Sequence, residues 1–356
     1  MRRTIAIGLL YSLTGSYARI GTACLTGALA AIDRINADPA RGVTFRAVTR
    51  DPGGNIDLYA PLCAEILRDT PARHIIGCVT SWSRKDVIPT LEKYGGSLWY
   101  AVPYEGFEAS DHVVYLHACP NQHLLPLLDW ALPTCGKRAY LTGSNYIWGW
   151  EINRLARERI TAAGGSVAGE RYLPLGSVDI DRMIEEVRAT APDFILNSLI
   201  GPSSYAFLRA YEALGAQDSR FAADCCPVLS CNLTECELPE IGEAAEGLIA
   251  AGPYFRVAGT TFGSSHEAAA WRAVHALADL MEAAPAAQSL GDLLRGPAGQ
   301  ASGIDLQTHH TVQPVLIAQV RDGAFAVLGD YGSRMGDPYL TGPAAPAVRA
   351  SLRVVS

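Results

Sequence analysis

The chain has 356 residues, of which 49% are hydrophobic and 18% charged, and its formal net charge is −7. That length exceeds what one hydrophobic core usually supports, so two lobes are expected, and the composition excludes a disordered chain. No block of like charge stands out, so neither nucleic acid nor an anionic membrane is expected as a direct partner.

The apolar run Ile5–Tyr11 after Met1-Arg2-Arg3 is at the lower limit for the core of a signal peptide, and no small-x-small cleavage site follows it. Residues 4–11 therefore read as the first buried strand, and the cytoplasm is the expected compartment. No run of 18 apolar residues is present for a membrane helix. The nine cysteines, an odd number, fit free thiols in a reducing compartment better than a disulfide framework.

Strand and helix alternate along the first third: Val43–Arg50, Arg73–Val79 and a short strand near Leu98 are expected strands. Ile20–Ala37, with Leu25, Leu29, Ile32 and Ile35 on one side, Asp57–Arg68 and Ser83–Tyr94 are expected helices. A second set begins near Pro120. Its expected strands are Arg138–Gly143, Val167–Tyr172, Phe194–Leu199 and a segment near Phe221–Cys225. Its expected helices are Leu124–Leu132, Glu151–Ala163 (ended by Gly164-Gly165), Ile180–Thr190 and Ser203–Leu214. Such alternation means βαβ units, so the fold class is α/β with two successive parallel sheets. Further on, Gly247–Tyr254 reads as a strand, Ser265–Glu282 as a helix, and Val315–Val320 with Ala324–Leu328 as a hairpin around Asp322-Gly323. Ala283–Ala287 and Gly336–Ala347 read as connections.

Several chemistries lack their motifs. There is no Gly-x-Gly dinucleotide fingerprint, no phosphate loop at Gly136-Lys137, no pair of histidines four apart and no Gly-x-Ser-x-Gly. No cofactor is expected, and an amidase is disfavoured because no nucleophile, base and third partner stand at motif spacing. Cys225, Cys226, Cys231 and Cys236 could be read as zinc ligands, but the spacing is not that of a zinc site and small packed thiols fit better. His309-His310 reads as turn or core structure rather than a metal site.

Open α/β sheets bind ligands beyond the carboxyl ends of their strands. Four clusters stand at such ends. The first is Thr80-Ser81 entering a helix, where Ser81 could hold a carbonyl oxygen and Ser81 or Ser83 could equally be a cap. The second is the segment with Trp99, Tyr100, Val102 and Tyr104, whose phenols could wall a small pocket or sit in the core. The third, with Tyr146 and Trp148, and the fourth, with Ser230, Asn232, Thr234 and Glu235, belong to the second half. This lining is aromatic and hydroxyl-rich, with little charge. A small, neutral, polar ligand gripped by a hinge motion of two lobes is therefore expected.

At these residues the sequence resembles a known family. Asp51-Pro52-Gly53-Gly54, Cys63-Ala64-Glu65, Ile76-Gly77-Cys78, Ser81-x-x-Arg84-Lys85, Pro103-Tyr104-Glu105-Gly106-Phe107-Glu108, Pro120-Asn121-Gln122 and Gly143-Ser144-x-Tyr146-Ile147 resemble the AmiC-type amide-sensing negative regulators of amidase expression. These belong to the leucine/urea-type branch of type I periplasmic-binding-protein-like receptors. The resemblance implies two Rossmann-like lobes joined by three crossovers, residues 1–119 with 252–310 and 120–251 with 311–356, with the ligand in the cleft. It implies a cytoplasmic regulator that holds an RNA-binding antiterminator protein inactive until an amide binds, and self-association through lobe faces. It places Ser81, Tyr100 and Tyr146 in the pocket, with Trp148 replacing an aromatic. Val102 stands where the family has threonine, Ala101 where it has proline, and Asn232-Leu233 where it has two threonines. The alternative on the same fold is the substrate-binding component of an ABC transporter for urea, short amides or branched-chain amino acids.

Overall fold

The computed structural model describes residues 2–287 and 289–342. In chain order the first run is β1 (Arg3–Leu10), α1 (Ala18–Ala37), β2 (Val43–Arg50), α2 (Tyr59–Asp69), β3 (His74–Gly77), α3 (Ser81–Tyr94), β4 (Ser97–Tyr100) and β5 (Val113–Tyr115). The second is α4 (Leu124–Thr134), β6 (Arg138–Ser144), α5 (Ile147–Ala162), β7 (Ser166–Leu173), α6 (Asp181–Thr190), β8 (Phe194–Ser198), α7 (Pro202–Gln217), β9 (Val228–Ser230), the short α8 (Leu238–Ile241) and β10 (Ile249–Gly252). Then follow α9 (Ser265–Ala283), α10 (Leu290–Arg295), α11 (Pro297–Ala301), β11 (Val312–Arg321) and β12 (Ala324–Met335).

The chain divides into two compact units, Met1–His117 with Phe262–Val312 and Ala118–Thr261 with Gln313–Ser356. The middle boundary therefore falls at 261/262 rather than 251/252, because β10 pairs with β9 and β11 and keeps the chain after it in the second unit.

The sheet of the first unit has the order β2-β1-β3-β4-β5, and every pair is parallel. The apolar run at the start of the chain is β1, an inner strand with Ile7, Leu9 and Leu10 fully buried. In the second unit β7, β6, β8, β9 and β10 run parallel in that spatial order, and β11 joins β10 antiparallel. The hairpin β11–β12 turns at Asp322 and Gly323, both at positive φ (53° and 75°), as a two-residue primed turn requires. In each unit the first strand lies between the second and the third. Its two crossovers leave to opposite sides, which creates a switch point beyond the carboxyl ends of β1 and β3, and likewise of β6 and β8.

Two local expectations need correction and one element was not anticipated. Phe221–Cys225 is not a strand: Ser219–Phe221 form a single 3-10 turn capped by Asp218, and the strand is β9. The segment Val113–Tyr115, too short for a periodicity signal, is an edge strand. The buried face of α1 is not led by its leucines. Leu29 is exposed, and Cys24, Gly27, Ala28, Ala31, Ile32 and Ile35 face inward. The reason is the approach of α9: a Cβ on Gly27 would stand 2.1 Å from the Glu267 carbonyl oxygen, so only small residues fit along that contact. Gly27→Ala should therefore destabilise the chain by about 1–3 kcal/mol through overpacking, read from urea unfolding. Of the connection expected at Gly336–Ala347, residues 343–347 lie outside the described residues.

All nine cysteines are unpaired thiols, and six of them are buried. Cys225 is exposed, the Cys226 carbonyl accepts from the Tyr211 hydroxyl at 2.7 Å, and Cys236 Sγ stands 3.3 Å from Thr234 Oγ1. Among the described residues no helix is long and apolar enough to cross a membrane.

Candidate functional site

In the first unit the switch point lies where β3 runs into α3. Thr80 is the N-cap: its Oγ1 accepts from Ser83 N at 3.1 Å while Ser83 Oγ accepts from Thr80 N at 3.0 Å, a reciprocal capping box. The hydroxyls of Thr80 and Ser83 are thus engaged in starting the helix. Ser81 is different. Its hydroxyl donates to Glu105 Oε2 at 2.7 Å and has no other partner among the described residues.

Glu105 is held in turn by Arg84, whose Nη2 donates to Oε1 at 2.7 Å; side-chain exposure is 0% for Arg84 and 1% for Glu105. One turn along the same loop, Glu108 accepts from Arg84 Nε at 2.7 Å, from Lys85 Nζ at 2.6 Å and from Tyr115 Oη at 2.8 Å. Two cations and two carboxylates therefore balance, with Arg84 and Glu105 fully buried, Glu108 nearly so and Lys85 reaching in from the exposed side. Burial opposes the charge on Arg84, but Glu105 and Glu108 outweigh it and hold its pKa well above the ordinary value. Burial likewise works against the Glu108 carboxylate, and Arg84 with Lys85 overrides it, bringing the pKa down to about 2.

Aromatic rings enclose this network. The Arg84 guanidinium lies 4.9 Å from the Tyr100 ring centre and 4.6 Å from that of Tyr104. Tyr104 packs on Tyr115 at 4.8 Å, and Tyr115 stacks on His310 at 4.1 Å. The phenol protons are engaged: Tyr100 donates to the Val79 carbonyl at 3.2 Å and Tyr104 to that of Glu108 at 2.5 Å. Both tyrosines thus brace the loop, and Val102, buried and apolar, adds no polar atom. His309 is buried with Nδ1 3.2 Å from the Val113 carbonyl, so the His309-His310 pair belongs to this core.

His310, and His74 beside Ser97 Oγ at 2.7 Å, are pushed by burial from an ordinary 6.5 down to about 4. The unfolded chain holds more protons on them between those values. Their contribution to stability is complete above pH 6.5, declines as the pH falls, and is gone below 4. Urea unfolding between pH 7 and 4 should show a loss of up to about 3 kcal/mol for each imidazole.

In the second unit the ends of β6, β8 and β9 lie side by side. Tyr146 is the N-cap residue of α5, buried, with extended backbone. Trp148 lies two residues on, 5.8 Å from the His123 ring, and its buried indole N–H has no hydrogen-bond partner among the described residues. Asn232 is tied locally: Nδ2 donates to the Leu199 carbonyl at 3.4 Å and Oδ1 accepts from Ser230 Oγ at 3.1 Å. It joins the β9 loop to the β8 loop. The β8 loop is pinned to β6 through Ile200 N donating to Ser144 Oγ at 3.1 Å.

Two further residues at this edge were not singled out from the sequence. The hydroxyls of Ser198, at the end of β8, and Ser203, in the first turn of α7, are buried without a partner among the described residues. A buried polar group left unpaired costs about 1–3 kcal/mol, so three such groups at one sheet edge mark a place for a ligand or water. The readable signal was Gly201-Pro202 after a strand, with proline in the first helical turn. It puts Ser203 in the second unit where Ser81 stands in the first, at the start of the helix after the third strand. Arg84 and Glu105 belonged to motifs already quoted, and their spacing to Lys85 and Glu108 was the signal of a charge-balanced cluster.

Two α/β units of one topology, each with polar side chains gathered at its switch point, have the architecture of a small-molecule binding protein. The chain belongs to the periplasmic binding protein domain family, whose profile matches residues 5–284. In fold it is similar to an ABC-transporter solute-binding protein from R. palustris solved with 4-hydroxybenzoate (TM-score 0.78, 20% identity, covering 96% of this chain and 98% of that one). It is similar too to the branched-chain amino acid transporter substrate-binding protein LivJ of Streptococcus pneumoniae solved with isoleucine (TM-score 0.73, 16% identity, 94% and 100% covered). An amino acid ABC-transporter substrate-binding protein from Pseudomonas fluorescens has TM-score 0.76 at 17% identity, with 96% and 98% covered.

Proposed function

We propose that the chain is a receptor for a small, uncharged, amide- or urea-like molecule that presents an N–H group to Ser81. The carrying observation is the Ser81–Glu105–Arg84 chain of hydrogen bonds. With its proton given to Glu105, the Ser81 oxygen offers only lone pairs, so it accepts from a ligand donor. A ligand carboxylate would bring acceptor oxygens against that oxygen and beside a second carboxylate. In the second unit, taken by itself, the Trp148 N–H and the Ser198 and Ser203 hydroxyls are donors suited to a carbonyl oxygen, with Tyr146 and Asn232 shaping that edge.

For the output of binding, we propose the solute-binding component of an ABC importer, because proteins of similar fold serve in that role with 4-hydroxybenzoate and isoleucine. A second reading, a cytoplasmic regulator that holds an antiterminator protein inactive, is favoured by nine unpaired cysteines, which suit a reducing compartment, and by the AmiC-type motifs that build the Arg84 network. Cell fractionation followed by affinity capture with and without acetamide separates them. Export with capture of a permease supports the first. Cytoplasmic residence with an amide-released RNA-binding partner supports the second. For the receptor itself, an amide at one hundred times its Kd should add about 2.7 kcal/mol of stability in a thermal-shift series, and a series in which no amide or urea raises Tm rules the reading out.

A further inference from the structure

We propose that a groove at the opposite edge of the second unit, lined by α7 and the starts of β9 and β10, docks a basic amphipathic peptide segment of a partner protein. The groove has a volume of about 340 Å³. Leu208, Tyr211, Phe221, Val228 and Leu248 form its buried floor. That floor is apolar in effect, since the one phenol there already donates to the Cys226 carbonyl. Val228 opens β9 and Leu248 precedes β10, so the groove lies at the amino-terminal edge of the sheet, away from Tyr146, Ser198 and Asn232.

Charge identifies the occupant. Glu212, Glu243 and Glu246 are exposed, line the same groove and have no cationic partner among the described residues. Nearby arginines are engaged elsewhere: Arg209 on the Glu240 carbonyl at 2.6 Å, Arg220 on Asp218 at 2.6 Å and Arg188 on Gln217 at 3.3 Å. One carboxylate on α7 and two on the turn at residues 242–246, around an apolar floor, match a bulky apolar anchor flanked by several Lys or Arg residues. The chain's net charge of −7 adds attraction at longer range.

The test uses the full chain and a fluorescent synthetic peptide with a Leu-Phe anchor between Lys and Arg residues, in dilute salt. Binding should weaken about tenfold in the E212Q/E243Q/E246Q variant, from three exposed ion pairs lost. Ala216→Trp, at an exposed position on the groove wall, should block it with no change of charge. A peptide of equal charge with serines for the anchor should bind far less. Thermal melts of both variants should match the parent chain. The proposal falls if the serine peptide binds equally well, if spermidine alone displaces the peptide at its own stoichiometry, or if both variants bind as the parent does. It falls also if gel filtration shows Ala216→Trp dissolving a self-associated species, which would make a second copy the occupant.

Discussion

Replacing Arg84 with methionine should destabilise the chain by about 3–5 kcal/mol, the largest effect expected from a single change in the first unit. The guanidinium is fully buried, stacked between Tyr100 and Tyr104, and bonded to two carboxylates at 2.7 Å each. Methionine keeps much of the stacking volume but leaves Glu105 without a cation and Glu108 with only Lys85. Taking one partner from a buried pair costs far more than the pair contributed, because a stranded carboxylate keeps its desolvation penalty. For the same reason R84M combined with E105Q and E108Q should recover part of the loss. Urea unfolding measures both. A loss below about 1 kcal/mol in R84M would mean that water reaches the cluster.

The second large effect falls on binding. Ser81→Ala should raise the Kd for an amide about tenfold to a hundredfold, the worth of one buried hydrogen bond, while stability changes much less. Glu105→Gln should act through the same hydroxyl with Ser81 intact. A glutamine can turn its amide nitrogen toward Ser81, which frees the serine proton to point at the ligand. Discrimination against carboxylates should then relax even as affinity for amides falls. Calorimetric titration of both variants with one amide and its matching acid reads this directly. If E105Q leaves the ratio of the two affinities unchanged, Glu105 does not set the polarity of Ser81.

Much of the architecture was legible because the first sheet and the five-strand body of the second are parallel: β2 spans Val43–Arg50, as periodicity predicts, and strand–helix alternation located most other elements within a few residues. Short edges escaped, since three residues at Val113–Tyr115 carry no period. The packing face of α1 escaped as well, because leucines look like core in isolation, whereas close approach of a neighbouring helix selects glycine and alanine. For the site, residue type located the strand ends but not the state of each side chain. Thr80, Tyr100 and Tyr104 have the right groups, yet their hydroxyl protons are committed to the protein. Ser81 has the same hydroxyl and the opposite availability, which depends on Glu105, 24 residues away. Ser198 was silent in the sequence because serine is common, whereas Ser203 was marked only by Gly201-Pro202 ahead of it; among the described residues, burial without a partner distinguishes both.

Titration calorimetry with matched neutral and anionic isosteres, acetamide against acetate and benzamide against benzoate, probes the polarity of the Ser81 oxygen with nothing else altered. The neutral member of a pair should bind and its acid should be weaker by at least about a hundredfold at neutral pH. Carboxylates binding as tightly as their amides, or more tightly, would mean that Ser81 donates to the ligand and that its bond to Glu105 is not what selects it.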